Sequence, residues 1–197
     1  MEAALGVIAD RGLAATRISD IAERAGMSPG HVMYYFRSKD LVLMEALRFV
    51  EDRMHEEVDD ELASIAPGPK RLRRLLELNM PDRPADPGWA LWLEAWTLAP
   101  HDEVVLELVT ELEARWVGLL TDVVRSGIEA GAFRCDDVEA AVTHIYATIN
   151  GLAVQVVTGA PGRTFDAALQ VCMRAAQSEL GGGVVRPRAD VGGAARD

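Results

Sequence analysis

His31, Tyr34, Tyr35 and Lys39 have side chains of the types that grip and read a nucleic-acid duplex. The imidazole donates to a base edge or a phosphate. The tyrosine hydroxyls bond phosphates and their rings meet thymine methyls, and the lysine is a point charge for a phosphate. They act together only if one exposed face carries them. The stretch around them, ISDIAERAGMSPGHVMYYFRSK from Ile18 to Lys39, has the spacing to build that face. Ile21, Ala22 and Ala25 make the apolar side of a short helix. Gly26 ends it, because glycine adopts the left-handed conformation of a helix terminus without strain. Ser28 caps a second helix through its hydroxyl, and Pro29 fits the first turn, where its missing N–H is not needed. Two short helices joined by a tight Gly-containing turn make a helix-turn-helix, whose second helix enters the major groove. That helix, residues 29–36, presents Gly30, His31 and Tyr34 outward and turns Val32 and Phe36 inward. Gly30 lets the backbone approach the duplex. Lys39 and the free N–H groups at the start of the next helix suit a phosphate.

A second set is aromatic. Trp89, Trp92 and Trp96 are three and four residues apart and share one helix face. Such a face is either a bulky core stripe or the wall of a small-molecule cavity. Leu93 beside them, and Trp116, Leu119 and Val123 on a later helix, belong to the same candidate wall. His144, Asn150 and Gln155 are its polar candidates. His144 reads equally as a core or interface histidine, and no second His or carboxylate at ligand spacing makes it a metal site. Tryptophan faces stack flat or bulky apolar surfaces and attract cations. The expected effector is therefore hydrophobic or aromatic, neutral or cationic, in preference to a small anion. The Arg71, Arg73, Arg74 cluster falls on an outward polar face.

The elements that position these residues are all helical. A pattern over 2–11 puts Ala4, Leu5, Ile8 and Ala9 on one face and stops at Gly12. Thr16 is a candidate cap for the helix that follows. Ser38 caps a long helix running to about Ser64, with Leu41, Met44, Leu47 and Met54 inside. Pro67-Gly68-Pro69 breaks the chain. Helices follow over 70–79, 89–98, 101–130, 136–159 and 165–180, while 181–197 reads as a disordered tail. The expectation is an all-α chain of about nine helices, with a head at 1–48 and a body at 49–180. The last two helices carry more small and branched apolar residues than one core needs. Ile145, Ile149, Leu152, Val156, Leu169, Cys172, Met173 and Ala176 form the expected homodimer seam.

The chain has 197 residues and a net charge of −11. Six basic and six acidic side chains balance within residues 1–50, so the whole negative charge lies on the rest. A neutral head can turn its cations to one face while an acidic body points away. No signal peptide and no run of membrane-spanning length is expected, and two distant cysteines fit a reduced cytoplasmic setting. No cofactor and no metal is expected.

The residues Asp20-Ile21-Ala22, Ala25-Gly26-Met27-Ser28, Gly30, Tyr34-Tyr35-Phe36 and Ser38-Lys39-Asp40-Leu41 resemble the tetracycline-repressor (TetR) family of transcriptional regulators. The match is strong over roughly the first fifty residues. Ile149-Asn150-Gly151-Leu152-Ala153 resembles the subgroup of the betaine-operon repressor. The resemblance implies DNA contacts from Arg17, Ser19, Ser28, Pro29, Gly30, His31, Tyr34, Tyr35 and Lys39. It also implies a cavity bordered by the Trp89 helix and dimerisation through the last two helices. The family usually has Tyr where this chain has Met33, and a longer first helix after a basic arm. The implied function is a homodimeric repressor released from a palindromic DNA operator by a small molecule. An enzyme lacks a nucleophile–base pair, metal spacing or phosphate loop here. A helical protein–protein adaptor gives no reason for the outward set on residues 29–39.

Overall fold

Capping and breaking residues account for most of the architecture. The computed structural model describes residues 1–181. Its helices are α1 (Glu2–Arg11), α2 (Ile18–Arg24), α3 (Pro29–Phe36), α4 (Lys39–Ala63), α5 (Pro69–Leu78), α6 (Pro87–Leu98), α7 (Glu103–Glu129), α8 (Val138–Val157) and α9 (Phe165–Leu180). A 3-10 turn, Ala99–His101, precedes α7. Ser28 and Ser38 accept from the N–H groups of His31 and Leu41 at 3.2 and 3.1 Å. Asp86, Asp102, Asp137 and Thr164 cap α6 to α9 in the same way. Gly26 takes φ 67°, and the N–H of Met27 reaches back to the Ala22 carbonyl at 2.8 Å, closing the turn between α2 and α3.

Several expectations change. Thr16 does not cap α2: it is buried and donates back to the Gly12 carbonyl at 2.9 Å, and Arg17 occupies the cap position. Ala9 and Ala25 are exposed, and Val7 takes the core place in α1. His101 lies in the 3-10 turn, outside α7. The connector helix expected from Ser38 to about Ser64 is α4, and the boundary at residue 48 lies within it. Apart from Gly181, the expected tail lies outside the described residues.

One continuous apolar core joins Ala4 and Ile8 of α1 to Leu43 and Leu47 of α4, Leu75 and Leu76 of α5, Leu91 of α6, and Leu112 and Leu120 of α7. α8 packs on α7 and α9. Ile145, Ile149, Leu152, Val156, Leu169, Cys172 and Ala176 are buried within the single chain, and Met173 is half-buried. The buried ones close the protomer's own core and are not free to form a seam, while Met173 stays partly accessible. α8 is, by length and composition, apolar enough to cross a membrane, contrary to the expectation from sequence. Its buried residues, among them Ile145, Ile149 and Val156, pack into the core instead.

Candidate DNA interface and effector site

The recognition helix α3 is anchored by one buried residue, Val32, and everything singled out on it stands clear of the core. Tyr34 is 80% exposed and Tyr35 63%. The Tyr35 ring sits 5.2 Å from His31 and 5.4 Å from Tyr34, so the three form one aromatic ridge. Arg17, Ser19, Ser28, Pro29, Gly30 and His31 are exposed, and a side chain at Gly30 would meet nothing within 4 Å. Lys39 is half-buried, and its ammonium donates to the Leu13 carbonyl at 3.3 Å, bracing the loop between α1 and α2. Met33 is 38% exposed, not packed inside.

The head's charges are partly spent internally. Arg11 pairs with Asp20 at 3.1 Å and Arg24 pairs with Asp10. Arg48 reaches Glu111 on α7 at 3.0 Å. Arg17, Arg37 and Lys39 remain near the recognition helix. Arg37, which the sequence pattern did not single out, sits in the left-handed region (φ 61°) at the α3–α4 corner. The resulting surface has few cations and several neutral donors, which fits base and phosphate contacts better than bulk charge attraction.

In the body, α4, α6 and α7 converge on a buried carboxylate that the sequence reading missed. Glu51 of α4 is 3% exposed. One of its oxygens accepts from the Trp92 indole N–H and the other from Trp116, both at 2.7 Å. Two donors, one to each oxygen, suit an ionised carboxylate, which only accepts. His55, one turn on, is also buried, with Nδ1 on the Glu51 carbonyl at 2.9 Å and its ring 4.6 Å from Trp116. Glu51 lies four residues after Leu47 and seven before Val58, on the apolar stripe of α4. A charge on that stripe was the available signal.

A cavity of about 50 Å³ opens beside Glu51, lined by Val50, Met54, Leu78, Asn79, Asp86, Gly88, Trp89, Trp92 and Trp116. Trp96 backs it, 5.5 Å from Trp92 and 6.1 Å from Trp89, and donates to Glu113 at 2.8 Å. Tyr146 of α8 is near both acids; burial pushes its phenol above the ordinary range, while Asn150 hydrogen-bonds it. Trp89, Trp92 and Trp116 therefore share one cavity, Trp96 stands behind it, and Asn150 does not line it. Leu93, Leu119 and Val123 do not line it. His144 is far from it in character: its side chain is 64% exposed and pairs with Glu179 at 3.1 Å. A larger cavity of about 130 Å³ lies between α5 and α9 around Phe133 and Met173, without a charged lining residue.

A helix-turn-helix head, a single helix carrying it into a helical body, and a cavity touching that same helix define a DNA-binding transcriptional regulator. The comparisons with known proteins agree. Residues 1–46 match the family of bacterial regulatory proteins, tetR family, and residues 68–181 match the BetI-type transcriptional repressor C-terminal family. The chain belongs to the TetR family, with a BetI-type body; it is a transcriptional regulator and not an enzyme. It is 29% identical over 79% of its length to the HTH-type transcriptional regulator BetI of Rhizobium meliloti (strain 1021), covering 74% of that protein. A transcriptional regulator from Saccharomonospora viridis, solved in complex with choline, is 33% identical with a TM-score of 0.81, over 91% of this chain and 94% of the other. A TetR regulator from Haloarcula marismortui gives 25% identity and a TM-score of 0.78 over 91% and 95%.

Proposed function

We propose that this chain is a dimeric repressor that holds a palindromic operator until a compact quaternary-ammonium cation, choline being the reference case, enters the cavity beside Glu51. The observation that carries this is the buried Glu51 carboxylate held by two indole N–H groups, with no Lys or Arg paired to it among the described residues and only the His55 ring, at 3.8 Å, nearby. Tryptophan faces and a desolvated anion are the chemistry that recognises a cation too substituted to donate hydrogen bonds. At about 50 Å³ the cavity must open to take any ligand, and a compact cation needs less opening than the bulky or flat apolar effector that the tryptophans alone suggest. The choline complex of the Saccharomonospora viridis regulator supports the same ligand class.

The counter-charge lies on the connector itself. Glu51 is twelve residues along α4 from Lys39, about 18 Å at the helical rise. Arg48–Glu111 and Arg115–Asp52 tie α4 to α7 on either side of it. A cation that draws Glu51 and the two indoles around itself re-aims α4, and with it the spacing of two recognition helices. Dimerisation is assigned to the outward strips of the last two helices. These carry Ala140, Ala147 and Gly151 on α8 and Ala167, Val171 and Ala175 on α9, none of them buried in the protomer. Small side chains there let helices approach closely. The protein then works in the cytoplasm, where the operator is.

The test is fluorescence anisotropy on a labelled operator selected from random duplex. Choline and tetramethylammonium should release it at concentrations where acetate and a phosphorylated sugar do not. Release by the anions alone would sink the assignment.

A further inference from the structure

We propose that Asn79 is the specificity-determining residue of the cavity, reading a neutral hydroxyl on the effector; the inference rests on the cation-site reading above. Three polar side chains line the cavity: Glu51, Asp86 and Asn79. Two are already engaged. Glu51 holds the indoles of Trp92 and Trp116, and Asp86 accepts from the Trp89 N–H at 3.0 Å as the cap of α6. Asn79 is different. It ends α5, is only 8% exposed, and its backbone N–H is bonded to the Leu75 carbonyl at 3.0 Å. Among the described residues its carboxamide takes no hydrogen bond within the protein. The buried side-chain atoms left without a partner among these residues are Asp20 Oδ2 and His55 Nε2, so the Asn79 amide is not sealed off, and at the cavity wall it is free to bond a ligand.

The cavity also limits what the ligand's polar end can be. Among the described residues no Lys, Arg or His lines it, and two carboxylates do. A ligand carboxylate would meet like charge with no counter-ion. A hydroxyl meets a carboxamide that can both donate to it and accept from it. The ligand class is therefore a compact quaternary ammonium with a hydroxyl on a short arm. The Trp faces and Glu51 hold the cationic end, and Asn79 holds the oxygen. A site built to bond a hydroxyl rejects the analogue that lacks it, because the protein's own polar group is then left unpaired.

The experiment is calorimetric titration of the full chain with choline and with n-propyltrimethylammonium, in which a methyl group replaces the hydroxyl. The wild type should bind choline about tenfold tighter, roughly what one unpaired buried polar group takes away. Asn79→Leu should bring choline down to the analogue's affinity and leave the analogue within about twofold of its wild-type value. Asn79→Asp, which still accepts from the hydroxyl, should keep the preference for choline, and it serves as well if the leucine variant does not fold. Equal binding of both ligands by the wild type would overturn the role of Asn79 while sparing the cation site. So would an Asn79→Leu variant that loses both ligands alike, since that is a shape effect. A wild type that binds neither ligand would overturn the cation site and this inference with it.

Discussion

Glu51→Gln separates a ligand site from a structural brace, because the two roles predict opposite thermal behaviour. In the unliganded protein the carboxamide keeps one oxygen for one indole and turns an N–H toward the other. One indole N–H of Trp92 or Trp116 loses its acceptor, at a cost of about 1–3 kcal/mol. Against this, a buried charge with no Lys or Arg beside it among the described residues, and only the His55 ring at 3.8 Å, is removed, a relief of comparable size. The unliganded melting temperature should therefore move by only a few degrees, in either direction. Ligand binding should respond very differently. A unit charge pair at 4 Å attracts by about 4 kcal/mol at an effective dielectric of 20. Half to all of that corresponds to roughly 30- to several-hundred-fold in Kd. At a choline concentration one hundred times the wild-type Kd, the wild type gains about 2.7 kcal/mol, and a variant a hundredfold weaker gains about 0.4. For a chain of this size those gains are about 5–11 °C against about 1 °C. The assay is thermal unfolding with and without choline, followed by tryptophan fluorescence. A Glu51→Gln variant that keeps the full choline shift refutes the cation site. One that melts far lower without ligand refutes the balance of costs argued here.

Other outcomes follow from the same geometry. Lys39→Ala should reduce the slope of log affinity against log salt by about one. It should also loosen the loop between α1 and α2, because the Leu13 carbonyl loses its donor. Tyr34→Ala should weaken operator binding while leaving the melting temperature within about 1–2 °C, since a side chain this exposed contributes little to the core. Ala147→Glu should give folded monomers by light scattering and circular dichroism. Leu169→Glu should instead unfold the protein, because its side chain is buried in the protomer. Folded dimers for Ala147→Glu would move the interface off that face. Gly127→Ala should cost about 1–3 kcal/mol in denaturant unfolding, since a Cβ there would overlap the Phe133 ring. An unchanged midpoint would mean that the ring shifts freely.

Burial also sets the chemistry of Cys172, whose thiol is pushed up to about 11 by desolvation. It stays neutral near pH 7 and behaves as the small hydrophobe that its place in the α9 pattern suggests.

The helix boundaries were legible in the chain because the signals that set them act within one turn. Ser28 and Pro29 start α3, Gly26 ends α2 and Ser38 starts α4, each through atoms a few residues away. The outward ridge of His31, Tyr34 and Tyr35 follows from the same local count, given that Val32 must face inward. Trp89, Trp92 and Trp96 could be placed on one face, but not assigned a partner. That partner, Glu51, is 41 residues from Trp92 and 65 from Trp116. No periodicity carries information over such a distance; only the packing of α4 against α6 and α7 brings a carboxylate to two indole nitrogens. The same holds for α8 and α9. Their apolar residues were visible, but which of them the protomer buries for itself depends on how two helices rotate against α7. The tertiary structure therefore decided which residues face a cavity, and the chain alone decided which helices would be there to make one.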